Sequence, residues 1–321
     1  VNYLSVCSGI EAASVAWEPL GWEPVGFAEI DPFACAVLKH RFPGVKNFGD
    51  FTQIGPELQN YVDVLVGGTP CQDFSIAGLR AGLAGARGNL TIEFARLAAR
   101  LRPEWIVWEN VPGILSSDGG GAFGTFLGAL AEIGYGFAYR VLDAQYFGVP
   151  QRRRRVFLVG HLGDWRRAAK VLFEPESLRG DSPPSRQARQ IAPTIPARRT
   201  AGGGLGIDFD CDGGLIAFTC KDYGADAATI APTLRAMEHD KSTPNGGGQV
   251  AATTGAGVRR LTPRECERLM GLPDDWTLVP YKGKLASDTS RYRAIGNSMA
   301  VPCMAYIGMR LNALQQSLVL R

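Results

Sequence analysis

A chain of 321 residues, 45% hydrophobic and 20% charged, has room for about two domains and apolar residues enough for a sizeable core. No apolar run approaches the roughly 18 residues of a membrane helix, and the composition excludes fibrous and wholly disordered classes. The net charge of +3, from 34 basic and 31 acidic residues, neither demands nor excludes a polyanionic partner, so the placement of the charges has to decide.

In chain order, Leu4–Cys7, Pro24–Ile30, Val62–Val66, Trp105–Trp108 and Val156–Val159 read as short buried strands bounded by glycine or polar residues. Between them, Phe94, Leu97, Ala98 and Leu101 share one helical face, and Phe123, Leu127, Leu130 and Ile133 share another, with Gly134 as a stop. Strand–helix–strand alternation predicts an α/β fold with a mostly parallel sheet and helices on both faces. From about Arg166 to Gly257 this pattern dissolves into short apolar fragments and long loops, with twelve glycines between Ala201 and Val258. Regularity returns at Thr262-Pro263-Arg264-Glu265, a capping box with proline at the first helical position, and Gly271 closes that helix. Met304, Ile307, Leu311, Leu314 and Leu318 then follow a 3,4,3,4 spacing, one amphipathic helix packed on a core. The expected layout is a large domain over 1–165, a small irregular β-rich domain over 166–276, and a return segment over 277–321 that completes the large domain.

Chemistry gathers at the strand ends. The first strand runs into Cys7-Ser8-Gly9-Ile10-Glu11, and the second ends at Glu29-Ile30-Asp31. Such a turn before a helix, with an acid at the next strand end, suits a nucleoside whose ribose hydroxyls meet the carboxylate; an ordinary glycine turn with surface acids reads equally well. No GxGxxG is present, so a ligand without pyrophosphate fits better than a dinucleotide. The third strand opens into Gly67-Gly68-Thr69-Pro70-Cys71-Gln72, placing a cysteine at the sheet edge where open α/β folds bind ligands. The seven cysteines are odd in number and form no CxxC pair, and the three histidines stand apart. That pattern predicts no disulfide framework, no metal site and a reducing cytoplasmic setting. Cys35, Cys266 and Cys303 read as small buried hydrophobes. Cys71, by contrast, lies at the same sheet edge as Glu109, which follows the fourth apolar run; together they suggest covalent chemistry on an electrophilic ring. In Gln151-Arg152-Arg153-Arg154-Arg155, alternate side chains must face opposite ways, with Gln151, Arg153 and Arg155 on one side. From Gln151 to Thr200 twelve basic residues face four acidic ones, a local excess suited to phosphates.

These elements, in order, resemble the S-adenosylmethionine-dependent DNA (cytosine-5) methyltransferases of phage, prophage or bacterial type. The elements are Gly9, Glu29, Gly49-Asp50, Pro70-Cys71-Gln72, Arg87-Gly88-Asn89-Leu90, Glu109-Asn110-Val111, Gln151-x-Arg153-x-Arg155, the Arg260–Glu265 stretch and Gly296-Asn297-Ser298. The resemblance covers nearly the whole chain outside 166–257. It implies a Rossmann-like catalytic domain, with 166–276 as the target-recognition domain. It further implies that Cys71 adds to C6 of a cytosine flipped from double-stranded DNA, Glu109 holds N3 and N4, Arg155 meets the O2 edge, and Arg153 supports the site. The implied cofactor pocket comprises Cys7, Ser8, Gly9, Ile10, Glu11, Ala12, Glu29 on ribose, Ile30, Asp31, Asp50 at the adenine amino group, Phe51, Gly68, Pro70, Leu90, Asn297 and Ser298. Gln72, Ser75 and Arg87 are implied on the DNA side, with Arg198, Arg199, Arg235 and Lys241 as candidate phosphate contacts.

The resemblance further implies a monomeric modification enzyme with no membrane or metal requirement, its DNA site and any endonuclease partner unspecified. The chain departs from the family pattern where Glu11-Ala12 replaces a glycine pair, Cys7 a phenylalanine, and Ile30 an aromatic. A catalytically idle DNA binder would have lost Cys71, Glu109 or Arg155, and a transfer-RNA enzyme would have a more compact target region. Methylation of an exocyclic amine would need an Asp/Asn-Pro-Pro-aromatic loop, which Thr69-Pro70-Cys71-Gln72 does not provide, and thymidylate-type motifs are missing.

Overall fold

The computed structural model describes residues 1–70, 89–174, 216–219, 250–254 and 257–319. The strands and helices run in the order β1 (Asn2–Val6), α1 (Ala12–Trp17), β2 (Glu23–Ala28), α2 (Pro32–Arg41), β3 (Val64–Gly67), α3 (Leu90–Leu101), β4 (Trp105–Asn110), α4 (Gly121–Glu132), β5 (Tyr135–Asp143), β6 (Arg154–Leu162) and α5 (Trp165–Leu172). There follow β7 (Ile216–Thr219), β8 (Val250–Thr254) and β9 (Gly257–Arg260), which form a separate antiparallel sheet, and then α6 (Pro263–Met270), α7 (Asp288–Asn297) and α8 (Val301–Val319).

The main sheet has the order β2-β1-β3-β4-β6-β5. Its first four strands are parallel, and β6 lies antiparallel to both β4 and β5. The inner strands read as continuous apolar runs because both faces are covered. Tyr3, Val64, Val66, Trp105 and Val107 face a core shared with α1, α2, α5, α6 and α8. Leu4, Val6, Leu65, Ile106 and Trp108 face the other core, built with α3 and α4.

The five strands expected from the sequence are present, together with a sixth, β5. It lies at the sheet edge, paired only with β6, and its partly exposed residues lack both a continuous apolar run and a clean alternation. Past residue 165 the chain forms α5, whose Ala168, Val171 and Leu172 are buried against the sheet, before the glycine-rich stretch begins. The capping box at Thr262 and Glu265 closes as expected, and Gly271 ends α6 in the left-handed region at φ 75°. Among the described residues, no helix is long and apolar enough to cross a membrane.

The helix α8 returns to the start of the chain. Met304, Ile307 and Leu311 are fully buried, and Trp17 of α1 donates its indole N–H to the Met304 carbonyl at 2.9 Å. At Gly308 a Cβ would lie 2.4 Å from the indole ring of Trp17, which is itself completely buried. Gly308→Ala should therefore lower stability by about 1–3 kcal/mol through overpacking, outweighing the gain in helix propensity of about 1 kcal/mol. Urea unfolding measures this, and an unchanged or raised midpoint would contradict the packing.

Candidate active site

At the carboxyl ends of β1, β2, β3 and β4 lies a cavity of about 710 Å³, a size suited to a small organic ligand. The turn after β1 forms one wall through an unusual backbone. Cys7, Gly9 and Glu11 all take positive φ, at 48°, 57° and 64°, and two of these are non-glycine residues, a strain typical of functional turns. Glu29, at the end of β2, clamps this turn. Its carboxylate accepts from the backbone N–H of Gly9 at 2.7 Å, of Ile30 at 2.8 Å and of Asp31 at 2.7 Å. Beside it Ile30 is 72% exposed, a large apolar surface offered to the cavity. Asp50 contributes a carboxylate that also accepts from Thr52 N–H at 2.9 Å, and buried Phe51 adds an apolar floor.

The opposite end of the cavity holds the charged groups. Glu109, the penultimate residue of β4, is largely buried, with Arg155 Nε 3.2 Å from its Oε1. Burial pushes the Glu109 carboxyl above its ordinary range, against the opposing pull of Arg155 and Arg153. Arg153 is only 2% exposed and donates to the carbonyls of Gly296, at 3.2 Å, and Ser298, at 2.6 Å. Burial lowers its guanidinium to about 9, with further repulsion from Arg155. The alternation expected for the arginine run is observed: Gln151 and Arg153 are buried and Arg155 half-buried, whereas Arg152 and Arg154 are exposed.

The chain just before Cys71 is fixed. Asn110 Nδ2 donates to the Thr69 carbonyl at 2.9 Å, and Trp108 Nε1 donates to the Thr69 hydroxyl at 3.0 Å. That hydroxyl also shares a 2.7 Å hydrogen bond with Thr91 near the start of α3, a helix capped by Asn89. At Gly68 a Cβ would lie 3.1 Å from both Glu109 Oε2 and the Met299 methyl, so the chain passes Glu109 too closely for a comfortable side chain.

The structure brings together Cys7, Gly9, Glu29, Ile30, Asp31, Asp50, Phe51, Gly68, Pro70, Leu90, Glu109, Arg153, Arg155 and Asn297 around this one cavity. Ser8, Glu11, Ala12 and Ser298 line a smaller adjoining cavity. Ile10 lines neither: its side chain is fully buried in the core, and its carbonyl accepts from Trp276 Nε1 at 2.8 Å. Cys71, Gln72, Ser75, Arg87, Arg198, Arg199, Arg235 and Lys241 lie outside the described residues. Cys266 and Cys303 are buried as expected, but Cys35 is only half-buried and its thiol donates to the Glu29 carbonyl at 3.1 Å. The sequence reading missed Arg293, Tyr281 and Phe33, which also line the main cavity. Arg293 pairs with Asp31 at 2.7 Å, joining its two walls. It precedes Asn297 by four residues, so the helical repeat could have placed the two on one face. Among the described residues, no group of three or more His, Cys, Asp or Glu could hold a metal ion.

A family model described as C-5 cytosine-specific DNA methylase matches residues 1–313. A protein of Escherichia phage P1 named DNA N-6-adenine-methyltransferase is 37% identical over 96% of this chain, which spans 61% of that relative's length. The type II methyltransferase M2.BsuMI of Bacillus subtilis is 31% identical over 97% of this chain and 75% of its own. A solved structure of Spodoptera frugiperda DNMT2 covers 97% of this chain and 99% of its own with a TM-score of 0.64; at 19% identity it shows a shared fold.

One group in the smaller cavity makes stability depend on pH. Burial raises the Glu11 carboxyl to about 7, with a further push from the charge of Glu29 and partial relief from Ser5 and Ser14. The folded state therefore holds this proton more tightly than the unfolded chain, and stability falls as pH rises from the ordinary carboxyl range through about 7. Glu11→Gln should be more stable than the parent by about 2–3 kcal/mol near pH 8, with the difference shrinking towards about pH 5. Urea midpoints across that range test it; a pH-independent difference would contradict it.

Proposed function

This chain belongs to the family of C-5 cytosine-specific DNA methylases, and from that premise we propose that it methylates C5 of a flipped cytosine in double-stranded DNA through a covalent bond between Cys71 and C6. The observation that carries the reading is the convergence on one cavity of Glu29 and Asp50 at one end and Glu109, Arg153 and Arg155 at the other, with Pro70 between. The donor set fits S-adenosylmethionine: Glu29 and Asp50 offer carboxylates to a ribose and an adenine amino group, and Ile30 and Phe51 offer apolar surface to the ring. When bound, that cofactor supplies a methyl group on a sulfonium, electrophilic enough for an activated C5 to take it.

The chain's own residues make C5 reactive. The Cys71 thiolate forms a bond to C6, and the C5–C6 π pair shifts towards C5. Glu109, whose carboxyl burial shifts above its ordinary range, donates a proton to N3 and so accommodates the charge that addition places on the ring. Arg155, held against Glu109, presents its guanidinium to the O2 edge. Once C5 carries the methyl group, its proton passes to water, the C5–H pair re-forms the C5–C6 double bond, and the C6–S bond breaks with its electron pair returning to Cys71. Flipping the base out of the duplex costs a few kcal/mol. The segment 166–276 is proposed to supply the contacts that offset this cost and choose the site.

The name of the phage P1 relative points to adenine N6, but Thr69-Pro70-Cys71-Gln72 lacks both the leading Asp or Asn and the aromatic suited to an exocyclic amine. The reading is tested with DNA carrying 5-fluoro-2′-deoxycytidine. Fluorine at C5 cannot leave as a proton does, so the adduct should persist and survive denaturation. Cys71→Ser should form no adduct and lose methyl transfer by at least about a thousandfold, while binding S-adenosylhomocysteine within about threefold of the parent. A denaturation-stable adduct with the serine variant would overturn the assignment.

A further inference from the structure

Adjoining the main cavity, a second one of about 40 Å³ shares Cys7, Gly9, Gly68, Glu109 and Asn297 with it. Its wall includes Glu11, which is 1% exposed. One carboxylate oxygen, Oε1, accepts from the Ser14 backbone N–H and the Ser14 hydroxyl, both at 3.1 Å, and so caps α1. Among the described residues no donor meets the other oxygen, Oε2, with hydrogen-bond geometry, although the Ser5 side chain interacts with the carboxyl. Among the described residues lining this cavity there is no lysine, arginine or histidine, and the other charged group there, Glu109, is acidic. A buried carboxylate oxygen left without donor or cation is costly, and a non-glycine residue held at φ 64° adds strain. The described lining supplies no cation, so the carboxyl either keeps its proton or meets a cation that a ligand brings.

We infer that Glu11 is the acceptor for the α-ammonium at the methionine end of S-adenosylmethionine, with the smaller cavity as the end pocket of the cofactor chamber. The inference rests on the cofactor reading above and deepens it. With Glu29 and Asp50 at the adenosine end, a molecule lying past Gly9 and Gly68 brings its amino-acid end to Glu11. The ammonium supplies up to three N–H donors and a full positive charge, which satisfies Oε2 in both respects. Glu11 thereby becomes a specificity residue that separates amino-acid-bearing adenosyl ligands from those lacking the amine.

Calorimetric titration of the full chain tests this with two ligands that carry no sulfonium: S-adenosylhomocysteine and its deamino analogue. The parent should prefer S-adenosylhomocysteine by at least about tenfold. Glu11→Gln, which keeps the cap on Ser14, should lose that preference by weakening S-adenosylhomocysteine while leaving the deamino analogue within about twofold. Equal weakening of both ligands would mean that Glu11 merely shapes the turn, and unchanged affinity for both would remove it from recognition; either overturns the inference. A parent that binds S-adenosylhomocysteine but shows no preference would also overturn it, without the variant and with the cofactor reading intact. Failure of the parent to bind S-adenosylhomocysteine at all would instead bring down the cofactor reading itself.

Discussion

The guanidinium of Arg153 is the constraint on which the site depends. It starts near β6, is almost wholly buried, and donates to the carbonyls of Gly296 and Ser298 from the other end of the chain. A buried cation is tolerated only with acceptors and a counter-charge; here the carbonyls provide the first and Glu109 the second. Removing it would strand Glu109 and Arg155 in a low-dielectric wall and free the segment that carries Asn297. Loss of one partner from such a buried set costs about 3–5 kcal/mol.

The chamber is consequently built from two distant stretches of sequence. Trp276 donates to the Ile10 carbonyl and Arg293 pairs with Asp31, so the return segment touches the turn after β1 and the adjoining wall. A buried cluster stiffens that segment: Glu267 accepts from the Thr277 backbone N–H at 2.8 Å and from Arg291 at 3.2 Å. These links explain why residues near 70 and 109 meet residues near 290–298, although the irregular region intervenes in sequence.

Much of this was legible in the sequence because it rests on local signals. Inner strands buried on both faces produce unmistakable apolar runs, and the capping box at Thr262 is a local pairing written in four residues. The alternation of the arginine run followed from strand geometry alone. What was not legible depends on tertiary placement. The edge strand β5 carries no strong pattern, and Ile10 looked like part of a ligand turn but faces the core. The basic excess was also partly misleading. Arg153 and Arg155 are engaged inside the site, and Arg167 pairs with Glu104 at 3.0 Å, so fewer positive charges are available to phosphates than the count suggested.

The same placement separates the chemistry in the family's description from the one in the phage P1 relative's name. A carboxyl that burial shifts above its ordinary range, beside the strand that leads to Cys71, suits addition to a pyrimidine ring, whereas an exocyclic amine calls for a different loop. Product identity decides between them most directly. DNA incubated with the protein and S-adenosylmethionine, then digested to nucleosides and analysed by mass spectrometry, should contain 5-methyl-2′-deoxycytidine and no N6-methyl-2′-deoxyadenosine. N6-methyl-2′-deoxyadenosine without any 5-methyl-2′-deoxycytidine would contradict the account.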